Sequence, residues 1–318
     1  MTESEQLLDA LDARVERRNH RRDFFKTAIG AAAAGVTAFS LTSKAGAQST
    51  ITDADILNFA LNLEYLEAQF YAFAANGTGL ASSQLTGTGT QGAVTGGKQV
   101  TFTDPVVASY AREIAADEAA HVAFLRTALG SSAVAQPAIN ISGDANGAFT
   151  AAARAAGVVG ANGTFDPYAS DENFLLGAYI FEDVGVTAYK GASPLVSNKT
   201  FLQAAAGILA VEAYHAAIVR GTLYAKGIQT PALITAAGQI SDARDSLDGS
   251  SDLDQGIAAQ TINGQTVSNI VPLDTNGIAY SRSPAQVLNI VYLNRASVTL
   301  GGFFPAGVNG TLRASAAN

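Results

Sequence analysis

Cysteine and tryptophan are absent from this chain, and 318 residues include one methionine and three histidines. The missing cysteine rules out disulfides, thiolate metal ligation and a cysteine nucleophile. Charge is also scarce, at 14% of residues against 48% hydrophobic, and the net charge is −8. From residue 48 onward, 12 basic and 21 acidic side chains leave −9, with no basic cluster. That balance argues against nucleic acid or an anionic membrane surface as a partner. Low charge with abundant Ala and Gly suits closely packed helices joined by polar loops. The length allows one large core, or a core with a smaller module.

The first 47 residues read as a targeting segment. Arg21-Arg22-Asp23-Phe24-Phe25-Lys26 is a twin-arginine export pattern, followed by the weakly apolar run Thr27 to Leu41. Ala45-Gly46-Ala47 then offers a small-x-small cleavage site before Gln48. The run is short and rich in Ala and Gly, unlike an anchor of ~20 strongly apolar residues. The expectation is therefore a signal over 1–47, a periplasmic or secreted destination, and no stable membrane insertion after cleavage.

Two histidines remain beyond the signal, and both sit in the same unit: Glu118-Ala-Ala-His121 and Glu212-Ala-Tyr-His215. Only seven glutamates follow residue 47. By chance a given histidine would have one three places upstream about 3% of the time, and both would about once in a thousand. Residues three apart share a helix face, so each unit aims a carboxylate and an imidazole at one spot. Two such units, with one glutamate from each of two further helices, compose the di-iron or di-manganese carboxylate site of a four-helix bundle.

Four long helices are predicted. The first opens at the capping box Thr52-Asp53-Ala54-Asp55 and runs to about Ala75. The second follows Asp104-Pro105 and ends at Gly130; the third runs from Ser170 to Gly191. The fourth starts at Asn198 and ends near Gly227, with Pro231 beyond. The short Gly191–Asn198 link makes helices three and four antiparallel neighbours. Ser131 to Ala169 is a long crossover, with one short helix expected near Phe149 to Val158. The Gly/Thr/Ser-rich insertion Thr78 to Thr103 is expected to hold an edge strand or hairpin at Val94 and Val100 to Phe102.

The bundle is an internal repeat. Glu64 precedes Tyr71 by seven residues, as Glu182 precedes Tyr189; Arg126 and Arg220 each lie eight residues beyond Glu118 and Glu212. The candidate metal ligands are therefore Glu64, Glu118, His121, Glu182, Glu212 and His215. Carboxylate and neutral imidazole suit Fe or Mn and leave positions for O2 or peroxide. Glutamates isolated in apolar helices need a partner, because an unpaired buried carboxylate costs several kcal/mol. The competing reading places them on exposed faces, or pairs them with Arg112, Arg126 and Arg220. Glu67 rivals Glu64 from nearly the same face, but only Glu64 has the tyrosine at +7. Asp183 points about 100° away from Glu182, toward outer support or solvent. Asp117 is placed to orient His121, a support that the repeat replaces with Val211 on the other side. Tyr71 and Tyr189 read either as redox-active or carboxylate-bonding groups, or as core aromatics with satisfied hydroxyls. Arg126 and Arg220 read as ion-pair formers near helix ends.

Glu64-x6-Tyr71 with Glu118-x-x-His121, repeated as Glu182-x6-Tyr189 with Glu212-x-x-His215, resembles bacterioferritin and rubrerythrin-type proteins across the four helices. The tail, with Ser241-Asp242-Ala243-Arg244-Asp245-Ser246-Leu247-Asp248-Gly249, Asn269 to Asn294 and Gly301-Gly302-Phe303-Phe304-Pro305, resembles desiccation-related ferritin-like proteins. That second resemblance spans most of the chain after residue 47. It implies an all-α, ferritin-like four-helix bundle with one long crossover and the six ligands named. The insertions and tail would obstruct a 24-subunit cage, and without cysteine there is no rubredoxin-like electron donor.

The expected parts are thus the bundle over 48–230 and an extension over 231–318 that packs on it or on another copy of the chain. The extension is expected to be mostly irregular, with one helix after the capping box Ser283-Pro284-Ala285-Gln286 and an anchor at Phe303-Phe304. Asp242, Asp245, Asp248, Asp252 and Asp254 lack the EF-hand spacing and read as a solvated loop. The functional expectation is two Fe or Mn ions and redox chemistry with O2 or H2O2: ferroxidation, peroxide removal or catalase-like dismutation. The alternative is a protective protein that keeps the metal for structure.

Overall fold

The computed structural model describes residues 51–318. The twin-arginine pattern and its cleavage site lie outside the described residues. Helices dominate. α1 (Asp53–Asn76), α2 (Pro105–Leu129), α4 (Asp171–Ala192) and α5 (Lys199–Gln229) form the bundle, and the short α3 (Ala148–Ala155) lies in the crossover. α1 pairs along its length with α2, and α4 with α5; the two hairpins then close on each other.

The starts of the helices are fixed by side chains. Thr52 and Asp55 complete the capping box of α1, and Asp104, Ser170 and Asn198 each accept a backbone N–H in the first turn of α2, α4 and α5. The repeat extends to these ends. Asp53, eleven residues before Glu64, accepts the backbone N–H groups of Ser197 and Asn198 at the start of α5, both at 2.8 Å. Asp171, eleven before Glu182, accepts those of Thr103 (3.1 Å) and Asp104 (3.1 Å) at the start of α2. Each hairpin's first helix is thereby tied to the second helix of the other.

α5 is long and apolar enough to span a bilayer, with mean hydropathy 1.4 over its richest window, yet it carries buried Glu212, His215 and Arg220 as a bundle helix. It runs two residues past the expected end, to Gln229, because Gly227 keeps helical geometry against Ile234 and the break comes at Thr230-Pro231.

The insertion differs from expectation. β1 (Val94–Thr95) pairs in parallel with β2 (Ile139–Asn140) in the crossover, so there is no local hairpin, and Val100 to Phe102 is not a strand. Instead the Gly-rich strip lies directly on the crossover backbone. A Cβ at Gly92 would fall 2.2 Å from the nitrogen of Ala138, and one at Gly96 (φ 86°) 2.3 Å from the Cα of Ser142. Only glycine permits that approach.

The region after the bundle is more ordered than expected. α6 (Pro231–Asp248) packs on α4 and α5, the hairpin β3 (Gln260–Ile262) to β4 (Gln265–Val267) turns at Asn263-Gly264, and α7 (Pro284–Val291) starts at the predicted capping box. The Asp-rich stretch is therefore solvated only in part: Asp242 and Asp252 are exposed, whereas Asp248 and Asp254 are buried. Asp248 is on α6 and receives Arg282 Nε at 2.5 Å, and Asp254 receives Arg244 Nη2 at 2.7 Å. Asp183 accepts both Arg220 (2.7 Å) and Arg244 (2.9 Å), so it is buried and ion-paired, neither solvated nor turned to the bundle centre. These three arginines clamp the extension to α4 and α5. Phe303 and Phe304 are fully buried, with Phe303 edge-on to Phe149 and Phe181.

Candidate metal centre

Glu64 on α1, Glu118 and His121 on α2, Glu182 on α4, and Glu212 and His215 on α5 converge midway along the bundle. Two donor groups emerge. One atom each of Glu64, Glu118, His121 and Glu212 lies within 4.8 Å of the others, and the same holds for Glu182, Glu212 and His215. His121 Nδ1 stands 3.2 Å from Glu64, 3.4 Å from Glu118 and 3.8 Å from Glu212. His215 Nδ1 stands 3.0 Å from Glu118 and 3.7 Å from Glu182. The ring centroids are 6.3 Å apart. Glu118 therefore turns one oxygen to each imidazole, and Glu212 belongs to both groups, so those two span the donor set.

The site is buried and strongly acidic. Glu67 joins the four named glutamates as a fifth buried carboxylate, and among the described residues no Lys or Arg pairs with any of them. Both oxygens of Glu118, Oε2 of Glu67, Glu182 and Glu212, and Nδ1 of His215 are buried without a hydrogen-bond partner. Orphaned acceptors facing one another are costly in a protein alone and are resolved by cations. The donor chemistry fits hard or borderline divalent ions such as Mn or Fe.

Burial, then mutual charge, raises the carboxyl groups of Glu67, Glu118 and Glu212 well above the ordinary range, and Glu182 is pushed up to about 8. Burial also pulls Glu64 upward, but the hydrogen bond and charge of His121 hold it below its usual value. Burial works against a charge on both imidazoles. At His121 the contacts with Glu64 win and raise its pKa, whereas at His215 burial wins and lowers it.

The tyrosines cross between hairpins. Tyr71 donates to Glu182 Oε1 and Tyr189 donates to Glu64 Oε1; the second oxygen of Glu182 has no partner, while that of Glu64 faces His121 Nδ1. Burial and the neighbouring carboxylates raise both phenols far above their usual range.

Asp117 corrects the sequence reading. It lies 3.1 Å from Nε2 of His215, not against His121. One residue before Glu118, it is rotated about 100° around α2, which sends its carboxylate across to α5. An Nε2–H donated to Asp117 leaves the Nδ1 lone pair of His215 facing the cluster. Val211 holds the equivalent place on α5, so His121 has no matching support. Arg126 reaches the Tyr65 hydroxyl and the Thr86 carbonyl, both at 2.6 Å, rather than an acid, while Arg220 is fully buried on Asp183.

The ferritin-like domain model matches residues 52–225, the stretch that contains all six side chains. The chain is 29% identical over 270 residues to the ferritin-like catalase Nec2 of Nesocodon mauritianus, covering 82% of this chain and 84% of that protein. It is 31% identical over 247 residues to the desiccation-related protein PCC13-62 of Craterostigma plantagineum, covering 74% and 76%. No solved structure matches.

Proposed function

Because the chain belongs to the ferritin-like family, we propose that its bundle holds two Mn or Fe ions through Glu64, Glu118, His121, Glu182, Glu212 and His215, and that it disproportionates hydrogen peroxide. The observation that carries the reading is the set of buried carboxylate and imidazole atoms that face one another with no hydrogen-bond partner and, among the described residues, no Lys or Arg paired with them. Four carboxylates would balance the charge of two divalent ions, which would relieve the burial and repulsion that raise Glu118, Glu182 and Glu212.

Such a pair of ions supplies Lewis acidity and a two-electron redox reservoir. The protein's part is to place and shield. Glu118 and Glu212 stand between the imidazoles, and Glu64 and Glu182 are steadied by Tyr189 and Tyr71. Asp117 orients His215. The buried side chains of Leu63, Leu66 and Val184 line a small cavity with Glu67 and Gly185, an apolar surround that favours a small neutral substrate such as peroxide. The relative named as a catalase supports peroxide over Fe(II) as the substrate. The twin-arginine pattern supports export, by a route that lets the metal be bound before the periplasm is reached.

The test is release of O2 from H2O2 by protein purified from its native host, against Glu118→Ala and His215→Ala. Peroxide consumption in the parent and its loss in both variants is expected; equal rates in all three contradict the reading. A second reading rests on the relative named as desiccation-related: a protective protein whose metal serves stability. It predicts a parent that holds metal and gains stability from it, without turnover.

A further inference from the structure

Around the cluster the two hairpins repeat the six candidate ligands and the two tyrosines, but they differ at a position facing the carboxylates. Glu64 corresponds to Glu182, so Glu67 corresponds to Gly185. The same place carries a long carboxylate on α1 and no side chain on α4. Both positions line one small cavity, together with Leu63, Ile180, Val291 and Phe303.

The difference bears on the two glutamates that span the donor set. A Cβ at Gly185 would lie 2.2 Å from Glu212 Oε2 and 3.0 Å from its Cδ. Carbon and oxygen atoms do not approach that closely without overlap. The Glu212 carboxylate thus occupies the space a side chain at 185 would take. Glu118, its counterpart, has Glu67 at the corresponding place on its own hairpin, and it stands between the imidazoles, 3.4 Å from His121 and 3.0 Å from His215. Glu212 keeps Oε1 3.8 Å from His121 and turns Oε2 toward Gly185.

Resting on the dinuclear reading above, we infer that Gly185 is a positioning residue: the side chain it lacks is the room that lets Glu212 serve both donor groups. With Glu67 opposite, it makes the two metal positions inequivalent. The obstruction that alanine would create falls on the far end of a flexible side chain, so the helix can stay while the carboxylate moves. Removing the clash by shortening the acid, as Glu212→Asp does by one methylene, restores the room.

The test is Mn(II) binding to chelator-treated protein, followed by equilibrium dialysis with elemental analysis and by electron paramagnetic resonance. Circular dichroism is read in parallel. The parent is expected to take up two ions per chain. Gly185→Ala is expected to hold the second at least tenfold more weakly, with unchanged helix content and a mononuclear Mn(II) signal. Glu212→Asp alone weakens binding, but added to Gly185→Ala it improves on that variant. Gly207→Ala, on α5 with open space at the Cβ, leaves binding unchanged.

Two ions bound by Gly185→Ala with parental affinity overturn the inference, as does a double variant weaker than Gly185→Ala alone. If alanine costs the fold, recovery on adding Glu212→Asp supports the contact and continued failure overturns it. A parent that binds no Mn(II) or Fe(II) removes the dinuclear reading itself, and this inference with it.

Discussion

Metal-free protein should lose stability as pH rises from 5 to 8. Glu182 is fully buried, and its carboxyl is pushed up to about 8 from an ordinary 4.5. Glu67, Glu118 and Glu212 are raised in the same direction. Between those limits the folded chain keeps protons that the unfolded chain has released, so each pH unit favours unfolding by about 1.4 kcal/mol per group. From pH 5 to 7 Glu182 alone removes about 3 kcal/mol, worth roughly 6–10 °C in melting temperature for a domain of this size. Glu64 shifts the other way, and its contribution is lost only as pH falls below its ordinary 4.5, outside this window. His121 is raised and His215 lowered, so their contributions oppose each other. Calorimetry of chelator-treated protein across the range measures the effect. Glu182→Gln should shed about one proton's worth of slope, and added Mn(II) should flatten the profile, because bound cations take the place of the protons. A melting temperature that is level or climbs from pH 5 to 8 in the metal-free parent refutes the reasoning.

Two further outcomes follow from the same contacts. Asp117→Asn weakens the orientation of His215 and should lower metal affinity about 10- to 100-fold, read by competition with a chromophoric chelator, with little change in helix content. Asp183→Ala leaves Arg220 and Arg244 buried with a lost partner and should cost about 3–5 kcal/mol in denaturant unfolding. An Asp183→Ala loss below about 1 kcal/mol would show that the clamp is not a stabilising one.

Much of the bundle was legible because its signals are local. Thr52, Asp104, Ser170 and Asn198 mark helix starts through caps that each need only three or four residues. The repeat brought six separated side chains to attention, and the fold sets them in one place. What failed depends on distant partners. The Asp-rich stretch at 242–254 reads as solvated until Arg244 and Arg282 fold back on it. The α6 pattern was available in Leu233, Ala236, Ala237 and Ile240 after Pro231, but Gly238 within it and the Asp- and Ser-rich run after Ile240 hid it. Asp117 was assigned to the imidazole nearest in sequence, whereas its rotation around α2 sends it to the other. The parallel pairing of Val94 with Ile139 joins two loops 45 residues apart, which no local pattern announces. The matching roles of Asp53 and Asp171 were present in the spacing and could have been found by extending the repeat backward from Glu64 and Glu182.

Metal content decides the central claim. Elemental analysis of the protein from its native host should find about two Mn or Fe ions per chain, and markedly fewer after Glu118→Ala or His215→Ala. A well-folded parent that carries none and accepts none on titration, or variants that retain the parental amount, would contradict it.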